Sequence, residues 1–407
     1  MDIRPILSTL RRHKTAAALI VLEIALSCAI ICNAVFLIDT RQDRMNRTTG
    51  LAENELVRLR YTGIGRDDNA EALTRGDLTA LRALPGVRAA TVANQVPFGN
   101  SSSYSSVNLE PDQQNPTLDA SGYVGDEQLL ETFGLRLVAG RDFTADEYVE
   151  WEALRAPGSE VEISSVILTR ATAERLFPGE DAVGKSIYSG GENPQRVVGV
   201  IEYLIRPGDN GSPADAGLSM VLPIRRPYTT GSYVLRTEPA RRDEVQKAAA
   251  AVLEQRNPNR ILLDSETFEQ MSDDYYAQDR AMAWLLVSVC IALLIVTALG
   301  IVGLASFWVQ QRTKQIGVRR ALGATRGQIL RYFQTENLLL ATVGIALGMA
   351  LAYGINLMLM ERYELPRLPA MYLPIGAVAL WLLGQVAVFA PARRAAAVPP
   401  AVATRSI

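Results

Sequence analysis

The sequence predicts an α-helical membrane protein with four membrane-crossing helices and a large α+β domain inserted between the first and the second. Three observations predict it. Four runs of 21 to 29 residues carry almost no charge, and roughly 20 apolar residues suffice to cross a bilayer. Lysine and arginine concentrate in the short segments beside those runs. Between the first and second run lie 242 residues of mixed strand and helix patterning with a surplus of acid.

The averages conceal this division: 407 residues, 48% apolar, 21% charged, formal net charge −2 and mean hydropathy +0.09. The insert holds 26 basic and 38 acidic residues, a net of −12, so the rest of the chain is basic. So much apolar residue excludes a disordered chain. Three cysteines exclude a disulfide scaffold. The net charge gives no support to nucleic-acid binding, and the single histidine, His13, leaves little room for histidine catalysis or a histidine metal site.

The elements follow in order. Residues 1–14 form a basic N-terminal segment, and residues 15–38 the first span, interrupted by Glu23 and Asn33. A secretory signal peptide also begins with a basic region and an apolar stretch, but no small-x-small cleavage site follows here, so an uncleaved anchor fits better. Residues 39–280 are the insert. Residues 281–309 form the second span, entered from a polar helical stalk that starts near Thr267 without a Gly or Pro break. Residues 310–337 are a basic connection, 338–360 the third span, 361–370 a short loop, 371–391 the fourth span and 392–407 a tail. Basic residues mark the cytoplasmic side. Arg4, Arg11, Arg12 and Lys14, then Arg312, Lys314, Arg319, Arg320, Arg326 and Arg331, then Arg393, Arg394 and Arg405 place both termini and the 310–337 connection inside and the insert outside.

Within the insert, strands are expected at 56–61, 87–95, 107–110, 119–125, 166–169, 196–203, 220–224, 233–237 and 261–264. Helices are expected near 77–84, at 126–133 and 171–177, and from Pro239 to Arg256. Residues 100–106 and 206–217 read as exposed loops.

Gly179 to Ser186 satisfies G-x4-G-K-[ST], the phosphate-loop pattern. A phosphate loop needs a strand before it and a helix after it. Here a helix enters and a β-like segment leaves, so the expectation is a surface turn and no bound nucleotide, cofactor or metal. Cys28 and Cys32, one turn apart, read as small apolar side chains, since no further ligands accompany them. Glu23 and Glu336 are intramembrane acids, expected to pair with basic connection residues or with other helices. Gly344 and Gly348 in the third span, and Gly300 and Gly303 in the second, are expected to allow close helix packing.

The most informative stretch is 310–336, QQRTKQIGVRRALGATRGQILRYFQTE. Ile316, Gly317, Arg319, Arg320, Ala321, Leu322, Gly323 and Ala324 form a short cationic amphipathic helix and its exit. Six basic residues interleaved with Ile316, Val318, Leu322 and Ile329 exceed what topology requires. They argue for a docking surface for a protein partner more than for anionic lipid alone.

With these residues the chain resembles the MacB-type/FtsX-like ABC transporter permeases over nearly its whole length. The 310–336 stretch is similar to that family's coupling segment and its entry to the third helix, Glu336 to Leu340. Phe133-Gly134-Leu135, Ala139-Gly140-Arg141-Asp142-Phe143, Arg175 to Asp181 with Gly184-Lys185, Val197 to Val200, and Pro391 to Ala396 resemble the family elsewhere. The resemblance implies a bacterial inner-membrane protein whose insert is a periplasmic domain with Porter- and Sabre-like lobes. It implies that residues 316, 317 and 319–324 couple to a cytoplasmic ABC ATPase that binds ATP and Mg, here expected as a separate subunit. It also implies a second permease, as a homo- or heterodimer, and in some members a periplasmic adaptor and an outer-membrane channel. The mechanism implied is mechanotransmission for export of a peptide, drug or lipid-linked substrate. Lipoprotein extraction and regulation of a cell-wall hydrolase are alternatives, as is an anchored sensor without an ATPase.

Overall fold

The structure, a computed structural model, describes residues 14–64, 69–99, 102–111, 113–191, 193–208, 214–363 and 367–399. Most of the N-terminal basic segment, the first two residues of the expected loop at 100–106, the centre of that at 206–217 and the end of the tail lie outside the described residues; the expected loop at 100–106 gives way to a strand, Tyr104–Asn108. The chain forms two compact units: residues 1–46 with 278–407, and residues 47–277. The expected insert of 39–280 thus loses both ends to helices, because those helices run on past their apolar stretches.

The helical unit contains α1 (Lys14–Met45), α2 (Ala277–Gln311), α3 (Thr313–Ala321), α4 (Arg326–Tyr363) and α5 (Tyr372–Ala396). Four of these, α3 excepted, are long and apolar enough to cross a membrane. Their seam is built on missing side chains. A Cβ placed on Gly344 would lie 2.9 Å from Ile24 Cβ, one on Gly348 would lie 2.5 Å from Cys28 Cβ, and one on Gly376 would lie 2.5 Å from Cys32 Sγ. Residues 24, 28 and 32 are successive turns of one face of α1, so α4 and α5 approach that face at backbone distance. Cys28 and Cys32 are buried there, and among the described residues no group of three metal-ligating side chains forms.

Polar groups inside this unit bridge helices. Ser27 Oγ and Thr297 Oγ1 share a hydrogen bond of 2.8 Å, and Asn33 Nδ2 donates to the Ala352 carbonyl at 3.2 Å. Asp279 accepts from Arg41 and, at 3.2 Å, from Arg44, joining the far ends of α1 and α2.

In the α/β unit a four-stranded antiparallel sheet runs in the order Arg260–Thr267, Leu56–Gly63, Ser232–Thr237, Val87–Ala93. One face packs Val57, Leu59, Tyr61, Val92 and Leu235 against the helices Ala70–Arg82 and Arg242–Arg256 through Leu78, Leu81, Val245, Ala249 and Leu253. The helix expected near 77–84 starts seven residues earlier. The second sheet has seven strands, and Ser186–Ser189 pairs with both Tyr104–Asn108 and Gln195–Ile201, which closes six of them into a ring. Val107, Leu118, Val166, Leu168, Ile187, Val197 and Met220 fill its core.

The expected unbroken entry to the second span is corrected. The helix Phe268–Tyr275 ends at Tyr276, and α2 begins at Ala277. Phe98 packs its ring 5.6 Å from that of Tyr275 and 5.7 Å from that of Tyr276. It does so from a left-handed backbone with φ 65°, a conformation that bulky residues adopt only when packing dictates it.

The G-x4-G-K-S segment follows the helix Arg170–Leu176 and leads into the strand Ser186–Ser189. That is the reverse of a phosphate loop, in which a helix N-terminus supplies the amides. Lys185 is occupied by Glu180 and lies 4.6 Å above the Phe177 ring.

Candidate functional site

The junction between α2 and α4 brings the sequence-selected residues together. The α2 helix ends at Gln311, and Arg312 carries the chain into α3. Arg312 Nη1 lies 3.0 Å from both carboxylate oxygens of Glu336 on α4, with the side chains only 9% and 2% exposed. The guanidinium stacks over Trp308 at 5.5 Å. A buried pair of this kind fixes its two helices because breaking it strands a charge. Glu336 therefore has a basic connection partner, as its position in the sequence suggested. Glu23 does not. Its carboxylate lies against Gly300 of α2, where any Cβ would collide with it, and no ion-pair partner accompanies it among the described residues. Gly303 is also corrected: it is exposed, and a Cβ there would meet nothing within 4 Å.

The α3 exit is set by local chemistry. Ala324 N–H donates to the Arg319 carbonyl at 3.0 Å and Gly323 N–H to the Arg320 carbonyl at 3.2 Å, the paired bonds of a Schellman stop. That stop needs a left-handed residue, and Gly323 supplies it with φ +95°. Two residues later Thr325 Oγ1 accepts from Gln328 N–H at 3.2 Å while Gln328 Oε1 accepts from Thr325 N–H at 2.9 Å. This reciprocal cap starts α4.

The apolar residues of the amphipathic stretch divide into two sets. Ile316, Gly317 and Ile329 are buried, so the two isoleucines do not belong to the outer surface. Val318 is 47% and Leu322 83% exposed. They stand one turn apart among exposed Arg319, Ala321 and Gly323, with Arg320 and Ala324 half-buried. Arg319 lies over the Tyr332 ring at 4.9 Å. A cavity of about 300 Å³ between α3 and α4 is floored by Ile316, Ile329 and Phe333 and rimmed by Arg312 and Arg319. The result is a rigid helix clamped at its N-terminus by an ion pair, stopped at its C-terminus by glycine, and presenting a cationic, apolar ridge. Sequence reasoning had Glu336 but not its partner; the signal was that Arg312 is the first charge after a long apolar run.

The MacB-like periplasmic core domain matches residues 17–252, and the FtsX-like permease C-terminal region matches residues 287–400. The chain belongs to the MacB-like family of ABC transporter permeases. The junction from Arg312 to Glu336 lies wholly within the FtsX-like region. The chain is 27% identical to the macrolide export ATP-binding/permease protein MacB of Chromobacterium violaceum, over 66% of this chain and 40% of that protein. It is 25% identical to MacB of Shewanella oneidensis over 95% of this chain and 58% of that one. It is 23% identical to the uncharacterized ABC transporter permease YknZ of Bacillus subtilis over 99% of this chain and 98% of YknZ. The chain thus spans about half the length of the MacB relatives it matches.

Proposed function

We propose that the chain is the permease subunit of an ABC transporter that works by mechanotransmission. Its α/β unit stands outside the membrane, while both termini and the α2–α4 junction face the cytoplasm. An ABC ATPase, supplied by a partner chain, binds and hydrolyses ATP with Mg and docks on α3; a second permease completes a dimer. Closure of the ATPase pushes α3, and α2 carries the displacement outward to drive export of a peptide, drug or lipid-linked substrate. In some assemblies a periplasmic adaptor and an outer-membrane channel take part.

The observation that carries this reading is the exposed ridge of Val318, Arg319 and Leu322 on a helix locked to α4 by Arg312 and Glu336. An apolar side chain left 83% exposed beside arginines suits a protein groove better than bulk water. The basic flanks support the orientation, and the end-to-end alignment with the ABC transporter permease YknZ supports the permease reading. Purification of the tagged chain from its native membrane tests it. An ABC ATPase is expected to co-purify and to be lost when Arg319→Glu and Leu322→Asp are combined. Equal recovery of the ATPase with that variant would remove α3 from the coupling path.

A further inference from the structure

The α/β unit contains a cleft of about 460 Å³ between the helix Ala70–Arg82 and the segments around Glu150 and Arg225. That size is within the range of small-molecule pockets. Four arginines and four carboxylates line it, and their pairing is uneven. Arg82 is held by Asp126 and by the Ala90 carbonyl at 2.7 Å. Arg225 donates to Glu127 at 3.1 Å and to Glu150 at 3.4 Å. Glu71 accepts from the Glu152 N–H at 3.0 Å.

Arg75 and Arg226 are left over. Neither has a carboxylate within ion-pair distance among the described residues; Arg75 attracts Glu150 only from farther away. Arg226 lies flat over Trp151, its Cζ 3.5 Å from the ring centroid, and donates Nη1 to the Thr230 carbonyl at 3.2 Å. Its Nε is buried without an acceptor. A second cation, Arg155, lies over the same ring at 5.2 Å. Burial and the Arg155 charge push the Arg226 pKa down to about 10. A half-buried guanidinium beside another cation is a cost that an anion in the cleft would relieve.

We propose that this cleft binds an oxyanion, phosphate or carboxylate, carried on a polar organic body, with Arg75 and Arg226 as its ligands and Trp151 as the platform beneath the Arg226 guanidinium. Guanidinium groups grip such anions through parallel N–H···O bonds. The ion pairs of Arg82 and Arg225 wall the site and keep their own carboxylates from Arg226. The site does not depend on ATPase coupling, and its test leaves that reading untouched.

The experiment titrates the full-length chain in detergent by calorimetry with glycerol 3-phosphate, with succinate and with glycerol. Saturable binding of one or both anions, and none of glycerol, is expected; which anion binds identifies the oxyanion. Arg75→Gln, on an exposed helix position, should weaken it about tenfold or more while the melting temperature holds. Arg226→Lys keeps the charge but loses the planar fork, and should also weaken binding. No saturable binding of either anion in the millimolar range overturns the proposal. So does binding that neither substitution weakens.

Discussion

Each unit buries one guanidinium–carboxylate pair stacked on aromatic rings, and the two pairs differ in how completely they are satisfied. In the α/β unit Asp77 accepts from Arg260 at 2.6 Å, Arg256 at 2.8 Å and the Tyr233 hydroxyl at 2.6 Å. Arg260 lies 5.0 Å over Tyr61 and 5.3 Å over Tyr228, and both Asp77 and Arg260 side chains have 0% exposure. In the helical unit Arg312 gives Glu336 one nitrogen, and its Nη2 is buried with no acceptor. A saturated cluster holds one arrangement. A pair with a donor to spare holds its helices while leaving an unmet bond for another arrangement to satisfy. The first suits a fixed core; the second clamps two helices and keeps one donor in reserve.

Removing Asp77 should have the largest effect. Asp77→Ala strands Arg260 in the core and is expected to cost about 3–5 kcal/mol, read from chemical unfolding of the full chain in detergent. A cost below about 1 kcal/mol would end the contrast drawn above. Glu336→Gln keeps the volume and should cost about 1–3 kcal/mol, with a matching loss of ATPase stimulation in the assembled complex. If stimulation is retained, the clamp is structural only. Close packing gives the next test: Gly348→Leu, driven into Cys28 and the Ala25 carbonyl, should cost about 1–3 kcal/mol. Gly303→Leu should be nearly neutral, within about 0.5 kcal/mol, and equal costs would show that the two glycines are not distinguished by packing. Leu322→Ala should leave stability within about 0.5 kcal/mol and yet weaken ATPase co-purification.

The smallest effect concerns pH. A bidentate contact from Arg141, with help from Thr144, holds the Glu147 carboxyl at about 2, below its ordinary 4.5. A lowered folded-state pKa means stability that is whole above about pH 4.5 and lost as pH falls toward 2. Glu147→Gln should therefore lower the melting temperature slightly at pH 7 and not at pH 2. A difference that persists at pH 2 would mean the charge is not its source.

The sequence made local features legible. Apolar runs marked the four long helices, Gly344 and Gly348 marked a close approach, and Gly323 marked the end of α3. What escaped was non-local. No residue near Ser186 announces that its strand closes a ring with Gln195–Ile201, since pairing depends on partners far along the chain. The stop at Tyr276 carries no Gly or Pro; it coincides with the ring of Phe98, 178 residues away in sequence. Amphipathic periodicity likewise grouped Ile316 and Ile329 with Val318 and Leu322, because a pattern of apolar positions does not say which are already covered.

The glycine seam has a mechanical consequence. Where backbones touch, two helices have no slack, so α1, α4 and α5 behave as one solid block along residues 24, 28 and 32. The α2 helix is gripped far less: 17% of its most apolar stretch is buried, against 56% for α1. Its inner links to α1 are one shared hydroxyl bond and the smooth surface of Gly300 against Glu23. A rod held loosely along its length and tightly at both ends, by Asp279 to Arg41 and Arg44 and by Arg312 to Glu336, takes up a push at one end and delivers it at the other.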